Sequence, residues 1–269
     1  MLNPLEKMNI VLAANQSYSE YILTTIKSIY LHNKHIRFYL LNRDYPTEWF
    51  DILNNKLRKL NSEIIDIKVT NDTIKNFKTY SHISSDTTFF RYFISDFIEQ
   101  DKVIYLDADI VVNGSLTELY QTDISNYFLA AVKDIISEKI YVNNHIFNAG
   151  MLLINNKKWR EHNITQFCLS LSEKYINSLP DADQSILNLI FKDKWLKLNR
   201  GYNYLIGTDY LFFKYGKTRY LEDLGETIPL IIHYNTEAKP WLNIFNTRFR
   251  NIYWFYYELN WQDIYAKHN

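Results

Sequence analysis

The chain has 269 residues, near the upper size for one shared hydrophobic core, and thirty basic residues balance thirty acidic ones. A formal charge of zero provides no global field that would draw it to nucleic acid or to an anionic membrane. A hydrophobic share of 47%, with only 6 Gly and 5 Pro, excludes a collagenous or linker-rich chain, and the single Cys168 excludes an intramolecular disulfide.

In chain order the apolar runs alternate with helical patterns, the signature of βαβ units. Residues 10–14 are expected to form a buried strand. A helix should follow from Tyr18 to about residue 32, with Ile22, Ile26 and Ile29/Tyr30 on one face. Residues 36–41 form a second strand. A helix opened by Pro46 carries Trp49, Leu53, Leu57 and Leu60, and residues 64–69 form a third strand. The polar cluster at 84–88 starts a helix that turns Phe90, Phe93/Ile94 and Phe97/Ile98 inward. Val103 to Leu106 is the most continuous strand signal, fitting a central parallel strand covered on both faces. Ser115-Leu-Thr-Glu118 has the form of a capping box. Further strands are expected near 128–132, 147–154 and 229–233, and helices near 157–178 and 183–191. No internal repeat or low-complexity linker divides the chain. The fold class is therefore α/β with a mostly parallel sheet.

Asp107-Ala-Asp109 follows the 103–106 strand directly, and ligands in open α/β sheets gather at the carboxyl ends of strands. In extended backbone, positions i and i+2 project to one side, so the two carboxylates can converge on one cation. Hard oxygen ligands suit Mg²⁺ or Mn²⁺. Spacing alone is weak, because Asp181-Ala-Asp183 repeats it where a helix starts, and Asp183 is a natural N-cap there. His233 ends another apolar run, six residues before Lys239. An imidazole at that place can complete a carboxylate–imidazole site, tilting the ion toward Mn²⁺, while the Lys meets phosphate oxygens. Asn148-Ala-Gly150 offers small residues that let a ligand approach the backbone closely, or else a plain turn.

Together these pieces resemble glycosyltransferase family 8, the retaining group that includes bacterial lipopolysaccharide galactosyl- and glucosyltransferases. The segments that carry the resemblance are Leu12-Ala-Ala-Asn-Gln-Ser-Tyr18, Thr87-Thr-Phe-Phe-Arg91, Tyr105-Leu-Asp-Ala-Asp109, Phe147-Asn-Ala-Gly150, Asp183-Gln184 and His233 to Trp241. They span residues 8 to 241. The resemblance implies a GT-A fold over 1–241, with residues 242–269 as a helical extension packed on it. It also implies a UDP-hexose donor, a saccharide or glycoconjugate acceptor, and Mn²⁺ or Mg²⁺. By position, Asp107, Asp109 and His233 would hold the metal. Ala14, Asn15 and Tyr18 would hold uracil, Arg91 would reach the ribose–diphosphate or donor-sugar side, Ala108 would bind the donor, Asn148, Ala149 and Asp183 would contact the donor sugar, and Lys239 the diphosphate. Gln184 would sit beneath the anomeric carbon, with Gln184 and Asp183 as the candidate catalytic pair. Two positions depart from the family pattern. Asn15 stands where many relatives carry Asp, and Thr236 where many carry Gly.

Two other classes stay open on the residues alone: a nucleotidyltransferase that makes sugar nucleotides, and a non-catalytic sugar-nucleotide binder. The first would favour a Gly-rich basic loop after the first strand, where this chain has Asn-Gln-Ser. The expected setting is the cytoplasm, since neither the first residues nor any later run has the length of a signal or a membrane span. The aromatic stretch 245–257 offers a peripheral contact to the inner face of a membrane. Its few basic residues favour a docked helix instead.

Overall fold

Alternation along the first strand explains the layering. In β1 (Met8–Ala13), Ile10 and Leu12 belong to one apolar cluster while Val11 and Ala13 belong to the other, one on each face of the sheet. The structure is a computed structural model and describes residues 7–77, 85–135, 146–175, 178, 181–207, 228–243 and 247–268. After β1 come α1 (Ser19–His32), β2 (Ile36–Asn42), α2 (Thr47–Leu57) and β3 (Glu63–Lys68). A 3-10 helix at Asp86–Phe93 runs into α3 (Ile94–Phe97), followed by β4 (Lys102–Leu106), β5 (Ile110–Val112) and α4 (Thr117–Gln121). Then follow β6 (Leu129–Lys133), β7 (Phe147–Asn155), α5 (Asn156–Glu161), α6 (Ile164–Tyr175) and α7 (Ala182–Ile190). The last elements are β8 (Trp195–Lys197), β9 (Tyr204–Leu205), β10 (Ile231–His233), α8 (Arg250–Glu258) and α9 (Trp261–His268).

Among the described residues a seven-stranded sheet runs in the order β3-β2-β1-β4-β7-β6-β8. Its pairings are parallel except for β7, which is antiparallel to both neighbours. That one reversal matters for the site. It brings the start of β7 beside the end of β4, with Leu106 opposite Met151, so Asn148-Ala-Gly150 meets Asp107. A second, three-stranded sheet, β5-β10-β9, sets His233 opposite Ile110, directly after the Asp107–Asp109 turn. β4 is buried on both sides, as its unbroken apolar run suggested: Ile104 and Leu106 enter one cluster, Val103 and Tyr105 the other. Each fully buried aliphatic side chain of this kind contributes about 1.5–3 kcal/mol.

Several expectations are corrected by local chemistry. The helix expected over 157–178 is two helices, broken where Asn163 takes φ 50, a left-handed conformation that Asn tolerates well. The helix after the polar cluster opens as 3-10, with the Ser85 hydroxyl accepting from Thr87 N–H at 3.2 Å; Ser84 lies outside the described residues. At the end of α3, Phe97 is exposed while Ile98, the residue after the helix, is buried. Ser115 makes no capping box. Its Oγ accepts from Thr117 N–H, and α4 begins at Thr117 with Leu116 before it. Asp183 is not an N-cap either: α7 starts at Ala182, and Asp183 turns inward.

The aromatic C-terminal segment is docked. Tyr253 and Tyr256 of α8 are buried, and Lys27 of α1 donates to the carbonyls of Tyr257 and Leu259. Tyr256 Oη donates to Asn113 Oδ1 at 2.7 Å and lies 2.9 Å from His32 Nε2. Among the described residues no helix is long and apolar enough to cross a membrane.

Candidate functional site

The chain leaves β4 at Leu106, and Asp107, Ala108 and Asp109 form a turn before β5. The two carboxylates therefore converge through a turn and not through the extended backbone that their spacing suggested. Helix α1 pins this turn: Thr25 Oγ1 lies 3.3 Å from Ala108 O and 2.7 Å from Ile110 O, and Ser28 Oγ accepts from Val112 N–H. One ligand atom each from Asp107, Asp109 and His233 falls within 4.8 Å of the others. His233 Nε2 stands 3.2 Å from Asp109 Oδ1 and 3.8 Å from Asp107 Oδ2.

This donor set fits a hard divalent cation. Asp109 Oδ1 is buried with no hydrogen-bond partner beyond the 3.2 Å approach of His233 Nε2, so a ligand-grade oxygen faces the cluster. Burial alone would raise the Asp109 carboxyl, but Lys239 and His233 outweigh it and hold the group well below the usual carboxylate range. Two oxygens and one imidazole nitrogen suit Mn²⁺ or Mg²⁺.

Arg91 is the hub beside this cluster. Buried at 4% exposure, it reaches Asp107 Oδ1 at 2.9 Å and Asp183 Oδ2 at 3.0 Å, and donates to Ala149 O. Its guanidinium lies 4.6 Å from the centre of the Tyr105 ring, and Tyr105 Oη donates to Asp107 Oδ1 at 2.7 Å. Asp183 also accepts from Thr88 Oγ1 at 2.6 Å. Burial keeps the Asp183 carboxyl above its usual range despite Arg91. Gln184 follows on α7. Its Oε1 accepts from Ala149 N–H at 3.0 Å and Asn148 Nδ2–H at 3.1 Å, and its Nε2 donates to Asp134.

The positions expected to hold a base lie on the loop after β1. Ala14 is buried and Asn15 half-buried, with the Asn15 side chain accepting from Ser17 Oγ. The Tyr18 ring meets Tyr21 and Trp241 edge-on at 5.3 and 6.3 Å, while Tyr21 and Trp241 stack at 3.8 Å. Burial, then the charge of Asp109, Tyr21 and Asp107, pushes the Tyr18 hydroxyl up to about 12. Lys239, expected at a diphosphate, is held against Asp109 Oδ2 and Tyr234 O, so it neighbours the acid pair directly.

Sequence reasoning missed Tyr105, Thr88 and Asp134 as partners of these groups; Asn203, with Tyr204, stood out only as a pocket-lining candidate too ordinary to name an acceptor, not as the partner of His233. Only Tyr105 and Thr88 lay inside a segment that could have flagged them. Thr236, the departure from Gly, takes φ 70, a region that β-branched residues rarely enter. Its Oγ1 makes two long contacts, 3.3 Å to Gly207 O and 3.5 Å to Ala238 N. Strain of this kind costs of order 1–3 kcal/mol. Thr236→Gly is therefore expected to raise the melting temperature by a few degrees; a fall would mean that the two contacts outweigh the strain.

The geometry can be set beside known proteins. Residues 9–245 match the family model "Glycosyl transferase family 8". The glycosyltransferase GlyA of Streptococcus pneumoniae serotype 4 is 42% identical over 264 residues, covering 98% of this chain and 36% of that protein. Among solved structures, the glycosyltransferase GlyE of Streptococcus pneumoniae TIGR4 superimposes with a TM-score of 0.84 at 37% identity, covering 97% of this chain and 62% of that one. The galactosyltransferase LgtC, solved with donor and acceptor sugar analogs, gives a TM-score of 0.79 at 30% identity, covering 93% and 95%. The chain thus spans about a third of GlyA and under two thirds of GlyE, but nearly all of LgtC. With a mostly parallel sheet, an acid–acid–imidazole cluster at the end of β4 and a family match over most of its length, the chain belongs to glycosyltransferase family 8.

Proposed function

We propose that the chain moves glucose or galactose from a UDP-sugar to a saccharide or glycoconjugate acceptor, with retention at the anomeric carbon and with Mn²⁺ or Mg²⁺ bound by Asp107, Asp109 and His233. The observation that carries this reading is the convergence of those three groups beside the ion-paired and hydrogen-bonded side chains of Arg91, Asn148, Asp183 and Gln184. On this reading residues 1–241 make the catalytic unit and 242–269 the helical extension, acting in the cytoplasm in polysaccharide or lipopolysaccharide assembly.

A divalent ion bound here supplies Lewis-acid charge against a diphosphate leaving group. The residues do the rest. Lys239 adds a compact positive charge at the same place, and Arg91 pairs with and orients both Asp107 and Asp183. Asp183 and the Asn148–Ala149 segment border the donor sugar, and Tyr18 stacks on the base. Retention then follows from same-face entry of the acceptor, the departing phosphate taking its proton. The state of Gln184 favours this route over a double displacement. An amide oxygen is already a poor nucleophile, and this one accepts two hydrogen bonds at 3.0 and 3.1 Å.

The test is release of UDP from UDP-glucose and UDP-galactose with Mn²⁺. Gln184→Ala is expected to slow release by about 10- to 100-fold without abolishing it, on the scale of losing a positioned group. Asp107→Asn and EDTA are each expected to abolish it. Undiminished release in EDTA would overturn the metal role. UTP formed from UDP-sugar and pyrophosphate would point to nucleotidyl transfer, and tight binding without turnover to a sensor.

A further inference from the structure

His233 does not stand alone behind its ring. Its Nδ1 lies 3.0 Å from Asn203 Oδ1, on the side away from the acid pair. Asn203 is fully buried, and its Nδ2 donates to Asn148 Oδ1 at 2.9 Å. Asn148 Oδ1 also accepts from Gly150 N–H at 3.0 Å. Asn148 Nδ2 donates to Gln184 Oε1 at 3.1 Å and to Asp134 Oδ2 at 3.3 Å, and Gln184 Nε2 donates to the same carboxylate oxygen at 3.1 Å. Five side chains from five parts of the chain are thereby joined: the ends of β6 and β10, the start of β7, the first turn of α7, and the residue before β9.

Such a chain has a direction, and the donor-only and acceptor-only groups along it decide which. A carboxylate oxygen shared by two amides takes their amino groups, so Asp134 Oδ2 turns those of Asn148 and Gln184 toward itself. Backbone N–H groups donate only. Those of Ala149 and Gly150 hold the amide oxygens of Gln184 and Asn148 in the matching sense. Asn148 is then fixed at both ends and offers an oxygen to Asn203. Asn203 must meet it with its amino group, which leaves its own oxygen toward His233. Nδ1 must therefore donate to that oxygen, and a neutral ring protonated there presents its Nε2 lone pair to the place where Asp107 and Asp109 would share an ion.

We propose that Asn203 is a positioning residue for His233, the last link of an amide relay that starts at Asp134 and sets the imidazole tautomer for metal binding. Its purpose rests on the metal reading above; its geometry does not. The relay also ties the proposed sugar pocket to the ion, because Asn148 and Gln184 belong to both. A sugar hydroxyl that rotates either amide would be felt at His233.

Two measurements test this, neither of them an activity. Long-range ¹⁵N–¹H NMR on the metal-free wild-type protein, at a pH where the imidazole is neutral, is expected to find His233 protonated on Nδ1. A His233 protonated on Nε2 overturns the relay whether or not any variant folds. Mn²⁺ titration followed by the EPR signal of the free ion is the second. Asn203→Leu, of similar volume with neither acceptor nor donor, is expected to bind Mn²⁺ about 10- to 100-fold more weakly, the usual scale for losing a group that orients a ligand. Asn203→Asp, which restores an acceptor for Nδ1–H, is expected to recover most of that loss. A folded Asn203→Leu protein with wild-type Mn²⁺ affinity and an unchanged His233 tautomer also overturns the proposal. If the wild type binds no Mn²⁺ or Mg²⁺, the metal reading fails instead, and the tautomer result still decides the relay.

Discussion

Arg91→Leu is expected to cost about 3–5 kcal/mol of stability, the scale on which removing one partner of a buried ion pair leaves an uncompensated charge. Leu keeps the volume and the burial, so what is lost is the fork that touches Asp107, Asp183 and the Ala149 carbonyl at once. The loss should depend on pH. Burial already holds the Asp183 carboxyl above its usual range, and Arg91 works against that rise. Without Arg91 it moves further up, so the folded variant keeps a proton that the unfolded chain releases near the free Asp value of about 3.9. A group raised on folding supports the fold at low pH and loses that support as pH climbs through the folded value. Urea melts at pH 5 and pH 8 should therefore show the larger deficit at pH 8. An equal deficit at both would mean that Arg91 acts through packing on Tyr105 and not through the Asp183 charge. Arg91→Lys is expected to fall between, since an ammonium keeps the charge but cannot bridge three acceptors in one plane.

Much of this arrangement was legible in the sequence. The 103–106 run announced a central strand, and the pair of carboxylates after it lies at its carboxyl end within reach of His233. Helical spacing of Ile22, Ile26, Ile29 and Tyr30 gave one buried face of α1, but Thr24, Thr25, Lys27 and Ser28 are buried as well, a cover the periodicity did not express. What could not be read was contact between distant polar residues of ordinary type. Asn203 and Asp134 carry no spacing signal, and their partners are 30 or more residues away for His233 and Gln184. The reversal of β7 was equally hidden, because an apolar strand buried on both faces has the same composition in either direction. Helix breaks at Asn163 and the inward turn of Asp183 follow from single backbone angles and from a buried Arg, neither of which a periodicity expresses. Local rules failed chiefly where tertiary polar contacts took over.

The same contacts make Gly150 the most sensitive small residue in the site, and Gly150→Ala is the second large effect expected. Its backbone is one that any L-residue adopts, since its φ lies outside the left-handed range, so Ala meets no conformational objection there. The objection is space. A Cβ at this position would come 2.1 Å from His233 Cε1, 2.7 Å from Nδ1 and 2.8 Å from Asp107 Oδ2. None of these can withdraw cheaply. Gly150 itself is tied by its carbonyl to Asp107 N–H at 2.9 Å and by its N–H to Asn148. The imidazole is buried and held by Asn203, and Asp107 is held by Arg91 and Tyr105. One methyl group would thus push the imidazole off its acceptor and away from the carboxylate it must meet. Overpacking of this kind costs typically 1–3 kcal/mol, an amount a domain of this size survives. Displacement of a ligand atom by a fraction of an ångström is far more damaging to an ion that needs defined distances. Gly150→Ala should therefore remain folded, melting several degrees lower, while its Mn²⁺ affinity falls by about 100-fold or more on the scale of a disrupted ligand shell. Circular dichroism melts and Mn²⁺ titration on the same sample separate the two effects. Retained Mn²⁺ affinity in a folded Gly150→Ala protein would show that His233 has room to move, and with it that the three groups are not held at fixed distances.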